Sequence, residues 1–186
     1  GEVTAQFAKH NLTLIPVIAP GAVIHDNACG SGTVTRAILS SNANLGGNDK
    51  KIYATDIDQS FLDKLSDDVT KNAWNVEVSK QRSEELNFAD STFDLSITNI
   101  GIFFFADAGL SGAREIYRTL KPSGTAIVNC WQHVTWQPAI FAVHKHFRSA
   151  HPFPAPTLNW SDGQQLQKVM LDAGFVKEKM RVERHE

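Results

Sequence analysis

The sequence predicts an α/β protein built on one doubly wound, mostly parallel sheet. Three observations predict it. Short apolar runs alternate with helical patterns from Ala22 to Cys130, as strands joined by crossover helices do. The run Val23-Ile24-His25-Asp26-Asn27-Ala28-Cys29-Gly30-Ser31-Gly32 carries a strand through a small-residue loop into a helix. An acid, Asp56, closes the strand after that. The length of 186 residues fits one domain, since domains run to roughly 100–200 residues.

In order, Val3, Phe7 and Leu14 fit a leading helix that Pro16 and the Pro20-Gly21 turn bring to an end. Ala22 to Asp26 reads as the first strand, Thr33 to Leu39 as a helix, and Ile52 to Thr55 as the second strand. An Asp58 cap starts the next helix, with Phe61, Leu65 and Val69 on one face. Val76 to Val78 is a third strand and Phe93 to Thr98 a fourth. Leu110, Ala113, Tyr117 and Leu120 stripe the following helix. Lys121-Pro122-Ser123-Gly124 turns into a fifth strand, Thr125 to Cys130. Pro138 to Arg148 is helical, and the proline-rich loop from His151 to Pro156 stops it. Ser161 and Gln164 are spaced as a capping box for a last helix bearing Leu166, Val169, Met170 and Ala173, with Gly174 as C-cap. Phe175 to Arg184 then alternates as an edge strand.

Composition narrows the function. Hydrophobic residues make up 42% and charged residues 20%, which sets disorder aside. The net charge of −2 shows no basic excess of the kind that nucleic-acid and anionic-membrane binders carry. No run approaches the roughly 18 apolar residues of a membrane span. Gly1-Glu2-Val3-Thr4 has neither the basic nor the apolar stretch of a secretion signal, and two cysteines cannot frame a disulfide scaffold. The expected setting is cytoplasmic, with a small-molecule partner, no nucleic acid and no membrane.

A small-residue loop lets backbone N–H groups approach a ligand. A carboxylate at the end of the second strand can accept both ribose hydroxyls of a nucleoside. The loop and Asp56 together therefore point to a nucleoside site. A dinucleotide fingerprint wants a third small residue where Thr35 stands. Asp26 ahead of the loop would repel a pyrophosphate and attract a cation. S-adenosylmethionine, with a sulfonium, an ammonium and no phosphate, fits better than NAD or ATP.

From Ala22 to Cys130 the chain resembles the class I S-adenosylmethionine-dependent methyltransferases, whose fold is Rossmann-like. Asp26 to Gly32 resembles the family's first motif, an acid and three spaced glycines, with Ala28 for the first glycine, a departure tolerated where φ is negative. Ile52 to Ile57 resembles the second-strand motif, in which Asp56 holds the ribose and Ile57 packs on adenine. Ser83-Glu84-Glu85-Leu86-Asn87-Phe88 and Ser91-Thr92-Phe93-Asp94 resemble the adenine-side loop and the entry to the fourth strand, and Arg82 stands where members often carry Asp. Leu120-Lys121-Pro122-Ser123-Gly124 resembles the turn before the fifth strand, with Ser for one Gly. The resemblance implies a cofactor site of Asp26, Asn27, Ala28, Cys29, Gly30, Gly32, Asp56, Ile57, Arg82, Ser83, Glu84 and Asn99. It also implies S-adenosylhomocysteine as product. On this reading 1–186 is one domain: a helix over the site in 1–20, the cofactor core in 22–130, and a substrate side in 131–186. Such sheets end in a seventh strand, so the natural chain is expected to run on past Glu186.

A narrower resemblance, through Asp26 to Gly30, Trp131-Gln132, Trp136, Pro138 and Pro152-Phe153-Pro154, is to fungal natural-product methyltransferases of the gliotoxin thiol type. It implies a small hydrophobic secondary metabolite methylated at a thiol, with thiols turned over ahead of catechols and primary amines. Transfer to oxygen, nitrogen or carbon, and a cofactor-binding homologue that transfers no methyl, are the alternatives. Phe103, Trp131 and Trp136 follow the fourth and fifth strands and are the substrate-pocket candidates, worth roughly 0.5–2 kcal/mol each through cation–π attraction to the sulfonium. At least one of Phe103, Phe104 and Phe105 must be core. Methyl transfer is mainly alignment, so no catalytic residue is assigned beyond His133 as a candidate base. His144 and His146 point apart on a helix, and no carboxylate pair follows the strands, so no metal is expected. Cys29 and Cys130 are separated by a strand, too far for a disulfide, and neither is expected to be catalytic.

Overall fold

The computed structural model describes residues 2–16, 18–41, 50–132, 135, 137–151 and 158–185. Its sheet has strands β1 (Val23–Asn27), β2 (Lys51–Asp56), β3 (Val76–Lys80), β4 (Phe93–Asn99) and β5 (Leu120–Asn129). They run parallel in the order β3-β2-β1-β4-β5. The order reverses between β1 and β4, and their carboxyl ends flank the crevice in which open α/β sheets bind ligands.

Helices α1 (Glu2–Thr13), α2 (Thr33–Ser40) and α3 (Gln59–Asn72) pack on one face. There Ala8, Leu12, Val34, Ile38, Leu62 and Leu65 meet Ile24, Ile52, Ala54 and Ile97. Helices α4 (Leu110–Thr119) and α6 (Gln164–Ala173) cover the other, where Ile116, Val23, Tyr53, Phe93, Ala126 and Val128 meet. Side chains alternate across each strand, so neighbours such as Val23 and Ile24 enter opposite cores. Helix α5 (Gln137–Phe147) has no buried residue.

Several expectations are corrected. In α3 the buried residue is Leu62, and Phe61 is exposed. Residues 62, 65 and 69 are as well spaced as 61, 65 and 69, so periodicity alone does not choose between the two stripes. In α4 the buried position is Ile116, and Tyr117 lies outside, edge-on to Phe175 at 5.1 Å. The expected capping box at Ser161 and Gln164 does not form. Asp162 accepts from Gln164 N at 2.9 Å, Ser161 turns to Asn159, and left-handed Gly163 opens α6. The expected sixth strand is absent: among the described residues the segment from Phe175 to Arg184 holds one helical turn, at Lys177–Lys179. A strand needs a ladder partner, and this segment instead makes side-chain contacts. Met180 enters the α4–α6 core, and His185 stacks on His10 of α1 at 3.7 Å.

Two non-glycine residues stand in left-handed backbone where the resemblance places glycine. Ala28 has φ 53, against the negative value that would have made it harmless, and Ser123 has φ 69. Ser123 lies in a bulge of β5, since Phe93 pairs with Leu120 and Leu95 with Thr125. Left-handed backbone costs an L-residue about 1–2 kcal/mol, and the entropy lost by glycine offsets roughly half. Ala28→Gly and Ser123→Gly are each expected to stabilise the protein by up to about 1 kcal/mol in urea titrations.

Candidate cofactor crevice

The glycine loop is held from beneath. Asp26, in β1, accepts from Thr35 N at 2.9 Å and from Thr35 Oγ1 at 2.6 Å. It thereby satisfies an N–H in the first turn of α2, whose N-cap Gly32 has no side chain to offer. Asp26 is 1% exposed, so it anchors the loop and does not line the crevice. Burial pushes its carboxyl up to about 7, against the pull of the Thr35 hydrogen bonds and with the help of the Asp56 charge. Cys29 N donates to the carbonyl of Thr55 at 2.9 Å, and its buried thiol, held protonated by burial, donates to the carbonyl of Gly30. Both cysteines are free. Cys130 donates to the carbonyl of Trp160, and burial pushes it up to about 11.

Gly30 and Asp56 meet across the ends of β1 and β2. Gly30 N donates to Asp56 Oδ2 at 2.8 Å, and Asp58 N donates to Asp56 Oδ1 at 2.9 Å. Each carboxylate oxygen keeps further acceptor capacity, aimed by these two bonds. A Cβ at Gly30 would meet no atom within 4 Å, whereas one at Gly32 would come within 2.4 Å of Leu65. Gly30 therefore offers an open approach and Gly32 a tight contact with α3. Ile57, beside Asp56, is 53% exposed. These residues fit a nucleoside: a backbone cradle, a carboxylate with spare lone pairs and an exposed apolar face.

Toward the turn at Ser83, Asn27 is a buried strut. It donates to Thr98 Oγ1 at 3.1 Å and accepts from Ser83 Oγ at 2.8 Å, tying β1 to β4 and to the turn at Ser83. Arg82 lies 3.7 Å from Glu84, whose Oε1 accepts from Ala106 N at 2.6 Å. Arg118 holds the same loop through the carbonyls of Leu86 and Phe88 and the carboxylates of Asp90 and Glu115.

The carboxyl ends of β4 and β5 depart most from expectation. Asn99, expected to face the cofactor, spends its carboxamide on Asn11, Asn129 and the carbonyl of Thr4. Phe103 packs tilted on Phe104 at 4.3 Å and lies 6.5 Å from Trp160. Phe104 is 78% exposed, and Phe105 is partly buried, packed against the α4–α6 core where a Cβ on Gly112 would strike its ring at 2.3 Å. Trp131 meets Phe7 of α1 edge-on at 5.4 Å. His133, Trp136 and the Pro152-Phe153-Pro154 segment lie outside the described residues. Sequence reasoning placed Phe7 on the leading helix but did not anticipate its contact with Trp131, nor the places of Asn11, Asn129 and Trp160 beside these residues. The one available signal was Asn129, which repeats at the end of the fifth strand the residue type that ends the fourth. Among the described residues no cluster of three or more His, Cys, Asp or Glu could hold a metal, and no helix is long and apolar enough to cross a membrane.

A family model described as a methyltransferase domain matches residues 24–124, more than half of the chain. A ubiquinone/menaquinone biosynthesis C-methyltransferase of Hydrogenovibrio crunogenus is 28% identical over 178 residues, 86% of this chain and 68% of that protein. Two solved structures share the fold. One is a putative methyltransferase in complex with the Haloferax volcanii Trm112 activator, with a TM-score of 0.70 at 20% identity, covering 93% of this chain and 69% of that one. The other is a putative methyltransferase of Bacillus halodurans, with a TM-score of 0.64 at 22% identity, covering 90% and 68%. The chain belongs to the methyltransferase-domain family and is an S-adenosylmethionine-dependent enzyme.

Proposed function

We propose that this enzyme methylates a small hydrophobic acceptor, in the cytoplasm and without nucleic acid, at a ring carbon made electron-rich by a hydroxyl. The observation that supports it most is the set of aromatic residues that follow β4 and β5: Phe104 is exposed beside Phe103, and Trp131 packs edge-on against Phe7. The carbon acceptor is favoured by the name of the quinone C-methyltransferase that matches most of the chain. The thiol acceptor and the secondary-metabolite setting drawn from the narrower resemblance form the rival reading.

Bound S-adenosylmethionine supplies a methyl group already activated by its sulfonium. The chain's own residues align and enclose. Gly30 presents backbone, Asp56 accepts the ribose hydroxyls, and Ile57 covers one adenine face. Arg82, Ser83 and Glu84 border the other side, with Asn27 fixing Ser83 from behind. Phe103, Phe104 and Trp131 hold the acceptor and exclude water, which is where most of the acceleration of such a displacement arises. The carboxylates here are engaged: Asp26 is enclosed, Asp56 takes Gly30 and Asp58, and Glu84 takes Ala106. With the described carboxylates so engaged, an acceptor that arrives ionised is favoured, and turnover is expected to follow its acidity.

The test is a panel of hydroquinone, thiol, catechol and amine acceptors, scored by S-adenosylhomocysteine formed and by the site of the added methyl. Ring-carbon methylation of the hydroquinones is expected to lead. Faster methylation of the thiols would overturn the carbon reading in favour of its rival.

A further inference from the structure

Three asparagines far apart in sequence meet at the carboxyl edge of the sheet. Asn99 and Asn129 are register partners across β4 and β5. Asn99 Oδ1 accepts from Asn11 Nδ2 at 3.1 Å and from Asn129 Nδ2 at 3.0 Å. Asn129 Nδ2 also donates to Asn11 Oδ1 at 3.0 Å, and Asn99 Nδ2 donates to the carbonyl of Thr4 at 3.2 Å. Asn11 is 3% exposed. A buried polar network is favourable when fully satisfied and costly when half satisfied. The cluster thus favours α1 either fully docked or fully released.

The same cluster reaches the crevice. Asn129 Oδ1 accepts from Ile100 N at 2.6 Å. Ile100 has φ 59, a conformation that a β-branched residue keeps only when its surroundings impose it. Gly101 follows, and a Cβ there would stand 2.9 Å from the Cβ of Ala28 in the glycine loop. A continuous set of contacts therefore runs from α1 through Asn11, Asn129, Ile100 and Gly101 to Ala28.

We propose that Asn11 and Asn129 are positioning residues that couple the docking of α1 to cofactor binding, by fixing how closely the end of β4 approaches the glycine loop. The proposal rests on the reading of this crevice as the cofactor site. Such coupling is reciprocal: what docked α1 adds to cofactor affinity, the cofactor adds to the docking of α1.

The test uses the whole chain, with S-adenosylhomocysteine as probe, calorimetry for affinity and hydrogen exchange for the α1 amides. In the wild type the probe is expected to slow exchange across α1. Asn11→Ala should weaken binding roughly tenfold, within the usual range of coupling, and abolish the slowing of exchange. Met170→Ala, a core change in α6, should lower stability yet leave affinity and the α1 response intact. If Asn11→Ala does not fold, Asn11→Ser carries the same expectation at about half the logarithmic effect. Wild-type affinity in the Asn11 variant, or an equal loss in Met170→Ala, would overturn the proposal. Asp56→Ala separates the two levels: if it binds normally, the crevice reading itself fails, and if it alone binds weakly, only the coupling fails.

Discussion

Acidification from pH 7 to pH 4 should stabilise a His25→Phe variant and destabilise an Asp26→Asn variant, each by roughly 3 kcal/mol relative to wild type. The two residues are neighbours in β1 and both are buried. Burial pushes the His25 imidazole down from 6.5 to about 3. As pH falls through 6.5 the unfolded chain takes a proton that the native ring refuses, so stability is lost down to about 3. Asp26 is displaced the opposite way, from 3.8 to about 7. Between those values the native carboxyl holds a proton that the unfolded one releases. Its contribution is complete below 3.8 and disappears as pH rises through about 7.

In the wild type these two slopes oppose each other over the same window and largely cancel. Each substitution removes one and exposes the other. His25→Phe keeps a ring against Phe93, now 4.7 Å from the imidazole, and forfeits the 2.9 Å bond to Thr55, an offset that does not vary with pH. Urea unfolding at pH 4, 5.5 and 7 without cofactor measures the profiles. Parallel curves in all three proteins would show that neither group keeps its displaced titration in the fold.

The parallel core is legible in the sequence because its rules are local. A buried strand reads as an apolar run, and the loop from Asp26 to Gly32 announces its own turn. The pairing of Gly30 with Asp56 follows from strand order, since the second strand lies beside the first. The fate of the C-terminal segment is not legible in the same way. Alternation belongs to one segment, whereas a strand requires a partner, and the residues after Phe175 find theirs in side chains of α1 and α4. Asp26 shows a second limit. Its charge suggests a face toward a cation, but its place near the end of β1 puts it under the first turn of α2, where Thr35 takes it. Asn11 and Asn129 show a third. Their contact depends on how α1 crosses the sheet edge, which no spacing along the chain encodes.

Asp56→Ala is expected to weaken cofactor binding by roughly ten- to a hundredfold, because buried ribose hydroxyls lose a charged acceptor worth about 1.5–3 kcal/mol. A second loss adds to the first. The same carboxylate takes the Gly30 N–H at 2.8 Å and the Asp58 N–H at 2.9 Å, so the variant also frees the glycine loop from β2. Asp56→Asn separates the contributions, since its amide oxygen can still accept from one of these N–H groups while the charge is gone. Its affinity should fall between those of the wild type and Asp56→Ala, with stability close to wild type. Asp56→Glu keeps the charge but moves it by one methylene away from Gly30, and should bind no better than Asp56→Asn. Calorimetric titration with S-adenosylhomocysteine orders the three variants. Equal affinity in Asp56→Ala and wild type would remove Asp56 from the site and, with it, the pairing on which the crevice is built.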